Sequence, residues 1–452
     1  MKHKRIVATL AAFGCMLGLM SGCAGGASSS STPASTEPTN GGASSSTAAP
    51  AEANLVFSWW GNQKRNDLTA EAIDLYMEQN PGVTIDGQFS EWSDYWNKLA
   101  TSAAGESLPD VIQMDYAYLK QYVDSDLLLD LTPYIESGAL DVSNISESVM
   151  ASAQVDGGTY ALVAGTNAPA VFYNKTLLEE NGIEVKNNMT MDEFMDVCRE
   201  VNEKTGVKTQ AGYLAGENIN DYFLRASGKQ MYTADGELAI ESAEDVLPFF
   251  EFYETGIKEG WLIDPAVFLE RNATSAEEDP LVVGSSPEQR AWCSFGFTNA
   301  IQTLVDVATD CEIGMLTWPS ADPTASNYLK PAMFFSVTKQ SKNPDAAVAF
   351  LNYLINSEDC NNILLGERGV PTSSKIMAAI EDKVSDAQKD VFAYINDVVT
   401  PNCSPISVPN PANAPEVNAK LNSLQEKVLY GELDAKTAAE EFYAAAVEIM
   451  SE

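Results

Sequence analysis

Short β-prone runs alternate with amphipathic helices along the chain from Asn54 onward. Segments that alternate in this way bury their apolar faces by forming sheets covered with helices. Leu55-Val56-Phe57-Ser58-Trp59 is the first such run and ends at Trp60-Gly61-Asn62. Leu68, Ala72, Leu75 and Tyr76 then recur at helical spacing until Asn80-Pro81-Gly82 stops the helix. Val83 and Ile85 open a second strand, which completes a strand-helix-strand unit of the kind that builds parallel sheets. Val111-Ile112 reads as a third strand with Asp115-Tyr116 at its carboxyl end, the place where ligands collect in open α/β sheets. Thr190-x-x-Glu193 is a capping box for the helix containing Phe194 and Val197. Asn343-Pro344 opens another helix, through Phe350 and Leu354. A helix-rich tail from Asp386 is broken between Pro401 and Pro415, and no repeat of solenoid or propeller period is visible. About 400 residues are more than one hydrophobic core usually serves, so the expectation is two lobes.

The segment before this body is of another kind. Lys2, His3, Lys4 and Arg5 precede an apolar run from Ile6 to Met20, then Ser21-Gly22-Cys23. The run is shorter than the roughly 20 apolar residues a bilayer span requires, so residues 1–22 read as an export signal. Met20-Ser21-Gly22-Cys23 is similar to the lipobox of bacterial lipoproteins, with Met20 in place of the usual Leu, and the likeness implies that Cys23 is acylated. Residues 24–53 are almost wholly Gly, Ala, Ser, Thr and Pro, with Glu37 and Glu52 the only charges, a composition that cannot bury enough surface to fold. As a flexible tether, residues 23–53 would have an r.m.s. reach of about 30 Å.

Charge and rare residues exclude several functions. Three of the 27 Lys and Arg lie in the signal, which leaves 24 against 64 Asp and Glu, a balance of −40. A body so acidic repels nucleic acid and anionic lipid, and most of its carboxylates read as a solvated surface. The one histidine, His3, lies in the signal. The remaining chain therefore has no Ser-His-Asp or Cys-His pair, no H-E-x-x-H zinc site and no His general base, so no metal and no cofactor are expected. Cys198, Cys293, Cys311, Cys360 and Cys403 are scattered without C-x-x-C spacing. They read as small buried hydrophobes, with a Cys293–Cys311 disulfide as the alternative.

Several segments, in order along the body, resemble the sugar-binding group of family 1 extracellular solute-binding proteins. They are Ser58-Trp59-Trp60-Gly61-Asn62, Asn80-Pro81-Gly82-Val83, Leu108-Pro109-Asp110-Val111-Ile112-Gln113-Met114-Asp115, Val171-Phe172-Tyr173-Asn174-Lys175, Thr298-Asn299, Ser341-Lys342-Asn343-Pro344 and Gly366-Glu367-Arg368-Gly369-Val370-Pro371. The resemblance implies an α/β periplasmic-binding-protein-like fold, two lobes joined by hinge strands with the ligand held between them. Carried onto this chain, the crossings fall at 165–167, 332–336 and 370–372. Lobe 1 is then 54–164 plus 336–370, and lobe 2 is 168–332 plus 371–452. It further implies a monomer that hands its cargo to the permease subunits of an ABC importer driven by a cytoplasmic ATPase, held at the outer face of the cytoplasmic membrane by the lipid on Cys23.

Sugars present C–H faces that pack on aromatic rings and hydroxyls that need polar partners, so a sugar cleft mixes both residue types. Trp60, Asn62 and Arg65 follow the first strand, whereas Trp59 points the other way, into the core. Asp115 and Tyr116 lie beyond the third strand, and a carboxylate there can accept two hydroxyls. Asn167 stands where the maltose-binding member of the family has a sugar-contacting carboxylate. Phe295, Phe297 and Asn299 lie in a segment that resembles the family's aromatic platform, with Phe replacing Trp. Trp92, Met333, Phe334 and Arg368 complete the candidate set; for Met333 and Phe334 core packing is the competing reading.

The reading that results is a lipid-anchored capture protein for a mono- or oligosaccharide, not an enzyme. Three rivals stand beside it. One is a binding protein for another solute such as a polyamine, an iron chelate or glycerol phosphate, although the expected cleft loops offer little cationic charge beyond Arg65 and Arg368. The second is a glycoside hydrolase, whose paired acids 64 carboxylates do not exclude. The third is a surface adhesin.

Overall fold

Leu55, Phe57 and Trp59 alternate along β1 (Ala53–Trp60) and are all buried, as a half-buried strand requires. Ser58 between them is buried too, because the sheet is covered on both faces. These features come from a computed structural model, which describes residues 52–210, 216–269 and 276–451. The signal, Cys23 and most of the expected tether lie outside the described residues. The tether's last residue, Ala53, instead belongs to β1: it pairs with Val83 and is buried, so the folded body begins one residue earlier than composition suggests.

The first sheet has five strands in the order β2-β1-β3-β10-β6: β2 is Val83–Ser90, β3 Val111–Met114, β6 Leu162–Asn167 and β10 Lys330–Val337. β1 runs parallel to both β2 and β3, as the strand-helix-strand reading requires, while β10 runs antiparallel to β3 and β6. The helix Gln63–Gln79 joins β1 to β2; the Asn62 side chain caps its start by accepting from the Arg65 N–H. The helix Pro344–Asn356 lays Phe350 edge-on against Phe57, with ring centroids 5.5 Å apart. Tyr353 from the same helix donates to the Ala72 carbonyl at 2.9 Å.

A second sheet has three antiparallel strands in the order β8-β7-β9, where β7 is Pro169–Asn174, β8 Cys293–Phe297 and β9 Ile313–Leu316. The remaining pair, β4 (Gln154–Val155) and β5 (Gly158–Thr159), forms a short hairpin. Phe194, Phe249, Phe250, Tyr253, Trp261 and Trp292 are buried in a core beside the second sheet, together with residues of the helices Ala414–Leu429 and Ala435–Met450. The Thr190 capping box forms as read from sequence, Thr190 Oγ1 accepting from the Glu193 N–H and Glu193 accepting from the Thr190 N–H. Pro415 does not prolong the break in the tail, because it sits in the first turn of the helix Ala414–Leu429, where proline is tolerated.

Three segments lie side by side at the β6 edge of the first sheet. β6 and β10 pair through Asn167–Lys330 and Gly165–Met333, and Thr166 and Val370 exchange both backbone hydrogen bonds at 2.8 and 3.0 Å. The approach is close enough to require glycine. A Cβ on Gly165 would lie 2.3 Å from the Arg368 carbonyl oxygen, and Gly369 has φ +98° with its Cβ position 3.0 Å from Ala332. Beyond this point the helix Ser374–Ile380, inside the stretch assigned by resemblance to lobe 2, is tied to the first sheet's side. Lys375 pairs with Glu358 at 3.1 Å and the Ser374 N–H donates to the Asn144 carbonyl.

All five described cysteines are free, so the alternative of a Cys293–Cys311 bond does not hold. Cys198, Cys293 and Cys360 are buried, and burial pushes the thiols of Cys198 and Cys360 up to about 12. Among the described residues no helix is long and apolar enough to cross a membrane, and no group of three His, Cys, Asp or Glu side chains is placed to hold a metal.

Candidate functional site

The ends of β3 and β8 and the adjoining segments of β6 and β10 open onto one cleft of about 820 Å³. Asn167, Lys330 and Met333 form its floor, on β6 and β10 at the edge of the first sheet. Asp115, Tyr116, Arg65 and Arg368 line one wall, and Phe297 at the end of β8 and Asn299 in the helical turn after it come from the side of the second sheet.

On the first wall the polar groups are fixed by one another. Asp115 accepts the Ala117 N–H at 2.9 Å and so caps the helix Tyr116–Asp124. Arg65 Nε lies 2.8 and 3.0 Å from the two Glu367 oxygens, and its Nη1 donates to the Trp60 carbonyl. Arg368, 5% exposed, donates from Nε to Gln113 at 2.9 Å and from Nη2 to Thr69 at 2.7 Å. Its Nη1 is 3.8 Å from Glu367. Burial pulls the Arg368 guanidinium down to about 10, with the Glu367 charge opposing that shift. The two arginines expected to meet ligand are therefore already occupied. The carboxylate between them, Glu367, belongs to the same Gly366-Glu367-Arg368-Gly369 motif as Arg368.

Tyr116 stacks on Phe334 with centroids 6.2 Å apart, and its hydroxyl donates to the Ser407 carbonyl at 3.1 Å. Burial pushes the Tyr116 phenol up to about 12, against the pull of Arg225. Phe297 is half-buried, with the Lys330 ammonium 4.5 Å from its ring centroid.

Five expected residues do not line the cleft. Trp60 packs its ring against Trp92, Tyr95 and Trp96 at 4.9, 5.3 and 5.7 Å, because the helix Trp92–Ala104 covers the face of β1 opposite Trp59. Trp92 stays exposed on that aromatic cluster, outside the cleft. Asn62 is spent as a helix cap. Phe295 turns into the second core against Phe194 and Trp318, and Phe334 is fully buried beneath Tyr116.

The other wall went unread in the sequence. Asn220 and Asp221 on the helix Gly216–Ala226, Tyr232, and the loop residues 406–410 line it. Arg225, buried beneath, fastens that loop. It donates from Nη1 to Ser407 at 3.0 Å and from Nη2 to Ser404 at 2.6 Å and to the Pro405 carbonyl at 2.8 Å, and from Nε to the Ser326 carbonyl at 3.2 Å. Ser407 in turn donates to Asp221 at 2.8 Å. Burial pushes the Asp221 carboxyl up, while Arg225 and Ser407 pull it down.

A cleft between two α/β units, floored by the strands that connect them, is the arrangement of a closing binding protein. Residues 71–393 match the family of bacterial extracellular solute-binding proteins. The chain belongs to that family. Among solved structures, an extracellular solute-binding protein family 1 member from Alicyclobacillus acidocaldarius superposes with a TM-score of 0.81 at 24% identity, covering 89% of this chain and 100% of that one. That likeness carries the two-lobe fold. The diacetylchitobiose binding protein DasA of Streptomyces coelicolor is 24% identical over 321 residues, 68% of this chain and 71% of its own. A lactose-binding protein of Rhizobium radiobacter is 24% identical over 204 residues, which is 43% of this chain and under half, 46%, of that relative.

Proposed function

We propose that this solute-binding protein is the extracellular capture component of a carbohydrate ABC importer, binding a mono- or oligosaccharide and releasing it unchanged to the permease. The observation that carries the reading is the cleft itself, where an aromatic ring, Phe297, stands among amide, carboxylate and hydroxyl groups. Sugar-binding names among the relatives point the same way. Of the residues taken from sequence, Arg65, Asp115, Tyr116, Asn167, Phe297, Asn299, Met333 and Arg368 are the ones proposed to surround ligand, with Arg65 and Arg368 holding the wall in shape. The three adjacent segments near Thr166, Met333 and Val370 would serve as the hinge. Acylation at Cys23 and the tether behind it would keep the body near the membrane, a role suited to firm anchoring by more than one acyl chain.

Capture needs moderate affinity: a dissociation constant near 1 μM corresponds to about −8.2 kcal/mol. Ligand at about a hundred times that constant should stabilise the folded state by about 2.7 kcal/mol. A melting-curve screen against mono- and oligosaccharides, followed by mass spectrometry of the recovered ligand, tests the proposal. Stabilisation with intact sugar recovered supports it. Cleaved or transferred products overturn binding without turnover, and stabilisation by a non-carbohydrate solute alone overturns the sugar assignment.

A further inference from the structure

The chemistry of the second wall narrows the class of sugar, an inference that rests on the carbohydrate reading above. Two residues that line the cleft each carry a buried polar atom with no hydrogen-bond partner: Asn220 its Oδ1 and Tyr232 its hydroxyl. The residues are 1% and 5% exposed. Each such atom bears the full cost of leaving water with nothing gained, and beside a cleft a ligand can supply the missing partner. Their supports are independent of each other. Asn220 is on the helix Gly216–Ala226, whereas Tyr232 is on a turn closed by hydrogen bonds from Ala239 to Met231 and from Thr233 to Glu237.

Charge around them is already matched. The cleft lining holds three cations, Arg65, Lys330 and Arg368, and three carboxylates, Asp115, Asp221 and Glu367. Glu367 engages Arg65 directly and lies near Arg368, and the guanidinium of Arg225, on the same helix as Asn220, is divided among four acceptors. A carboxylate or phosphate docking at this wall would face the Asn220 carbonyl oxygen and the Asp221 carboxyl, acceptors that it cannot satisfy.

We propose that Asn220 and Tyr232 form the discriminating subsite of the cleft, and that it takes a neutral sugar unit rather than a uronic acid or sugar phosphate. A ligand hydroxyl or amide N–H donates to Asn220 Oδ1, and a second hydroxyl pairs with the Tyr232 hydroxyl. Burial pushes the Tyr232 phenol up to about 12, so it stays protonated and can donate as well as accept.

Titration calorimetry on the full chain, with neutral and N-acetylated oligosaccharides set against galacturonides and glucuronides of matched length, separates the possibilities. Neutral sugars should bind at least tenfold tighter than uronides. Tyr232→Phe and Asn220→Ala should each weaken the best neutral sugar at least tenfold, and Tyr232→Phe should leave the unliganded melting temperature unchanged or raised, since it removes only an unpaired polar atom. Uronides binding as tightly as neutral sugars would overturn the subsite and leave the carbohydrate reading standing. Variants that melt lower without ligand yet bind with unchanged affinity would show that the two groups are structural. Binding by neither class of sugar would bring down both readings.

Discussion

The wall of the cleft beside the five-stranded sheet is satisfied within itself, whereas the wall opposite is not. Arg65, Glu367, Arg368, Gln113 and Thr69 form a connected set in which each charged group has a partner from this chain. Asn220 and Tyr232, on the other side, keep buried polar atoms with none. A network that is complete before ligand arrives gives rigidity and position, while one completed only by ligand gives selectivity, because the wrong ligand leaves the orphans unpaired. The first wall therefore sets the shape of the site and the second sets what it accepts.

The largest effect that can break this contrast comes from Glu367. Glu367→Ala leaves two guanidinium groups without their carboxylate, one of them 5% exposed, and removing one partner of a buried ion pair costs about 3–5 kcal/mol. Urea unfolding of the unliganded protein measures it. A loss below about 1 kcal/mol, the range of a solvent-exposed pair, would mean that the first wall is not held by this ion pair. Next in size is Gly165→Ala, which forces a methyl to within 2.3 Å of the Arg368 carbonyl oxygen. The backbone must shift, at a cost of about 1–3 kcal/mol, and amide exchange at Thr166 and Val370 should accelerate with it. Unchanged exchange there would show that the joint between the walls absorbs the side chain.

The first wall was largely legible in the sequence and the second was not, and the difference has a physical cause. Asp115, Tyr116 and Arg65 follow strands marked by local signals, a change of hydrophobic period, an Asn cap and the Asn80-Pro81-Gly82 stop, so their place at a strand's end could be read from nearby residues. Trp60 was misplaced by the same alternation rule that put Trp59 in the core. That rule assigns a residue to the opposite face but cannot say that the helix Trp92–Ala104 covers that face as well. Asn220 and Asp221 depend on segments nearly two hundred residues away, since Ser407 and the loop it belongs to reach them only through tertiary folding. The one local hint was Asn220 and Asp221 sitting beside Ile219 and Tyr222, polar residues where a helix otherwise turns inward. The proline-dense stretch from Pro401 to Pro415 announced a loop without saying where it docks.

A smaller effect tests the contact that spans the two walls. Tyr116→Phe removes the hydroxyl that donates to the Ser407 carbonyl at 3.1 Å and should cost about 1 kcal/mol without ligand. It should also enlarge the radius of gyration of the unliganded protein in solution scattering, since the bond ties the first wall to the second. A radius identical to wild type would mean that the bond does not restrain the walls.

The smallest expected effect is a pH dependence confined to the second wall. Burial holds the Asp221 carboxyl above its ordinary value of about 3.9, so the native state keeps this proton in a window where the unfolded chain has lost it. The folded state then binds more protons than the unfolded one, and stability falls as pH rises from about 4 through the raised value, above which the difference is constant. Asp221→Asn is neutral at every pH and lacks this slope. The stability of wild type relative to the variant should therefore decline with rising pH across that window, by about 1.4 kcal/mol for each unit by which the native value is raised. Paired urea titrations between pH 4 and pH 8 read the difference directly and cancel the contribution of the other carboxylates. A relative stability that rises with pH instead would mean that Arg225 and Ser407 outweigh burial at Asp221.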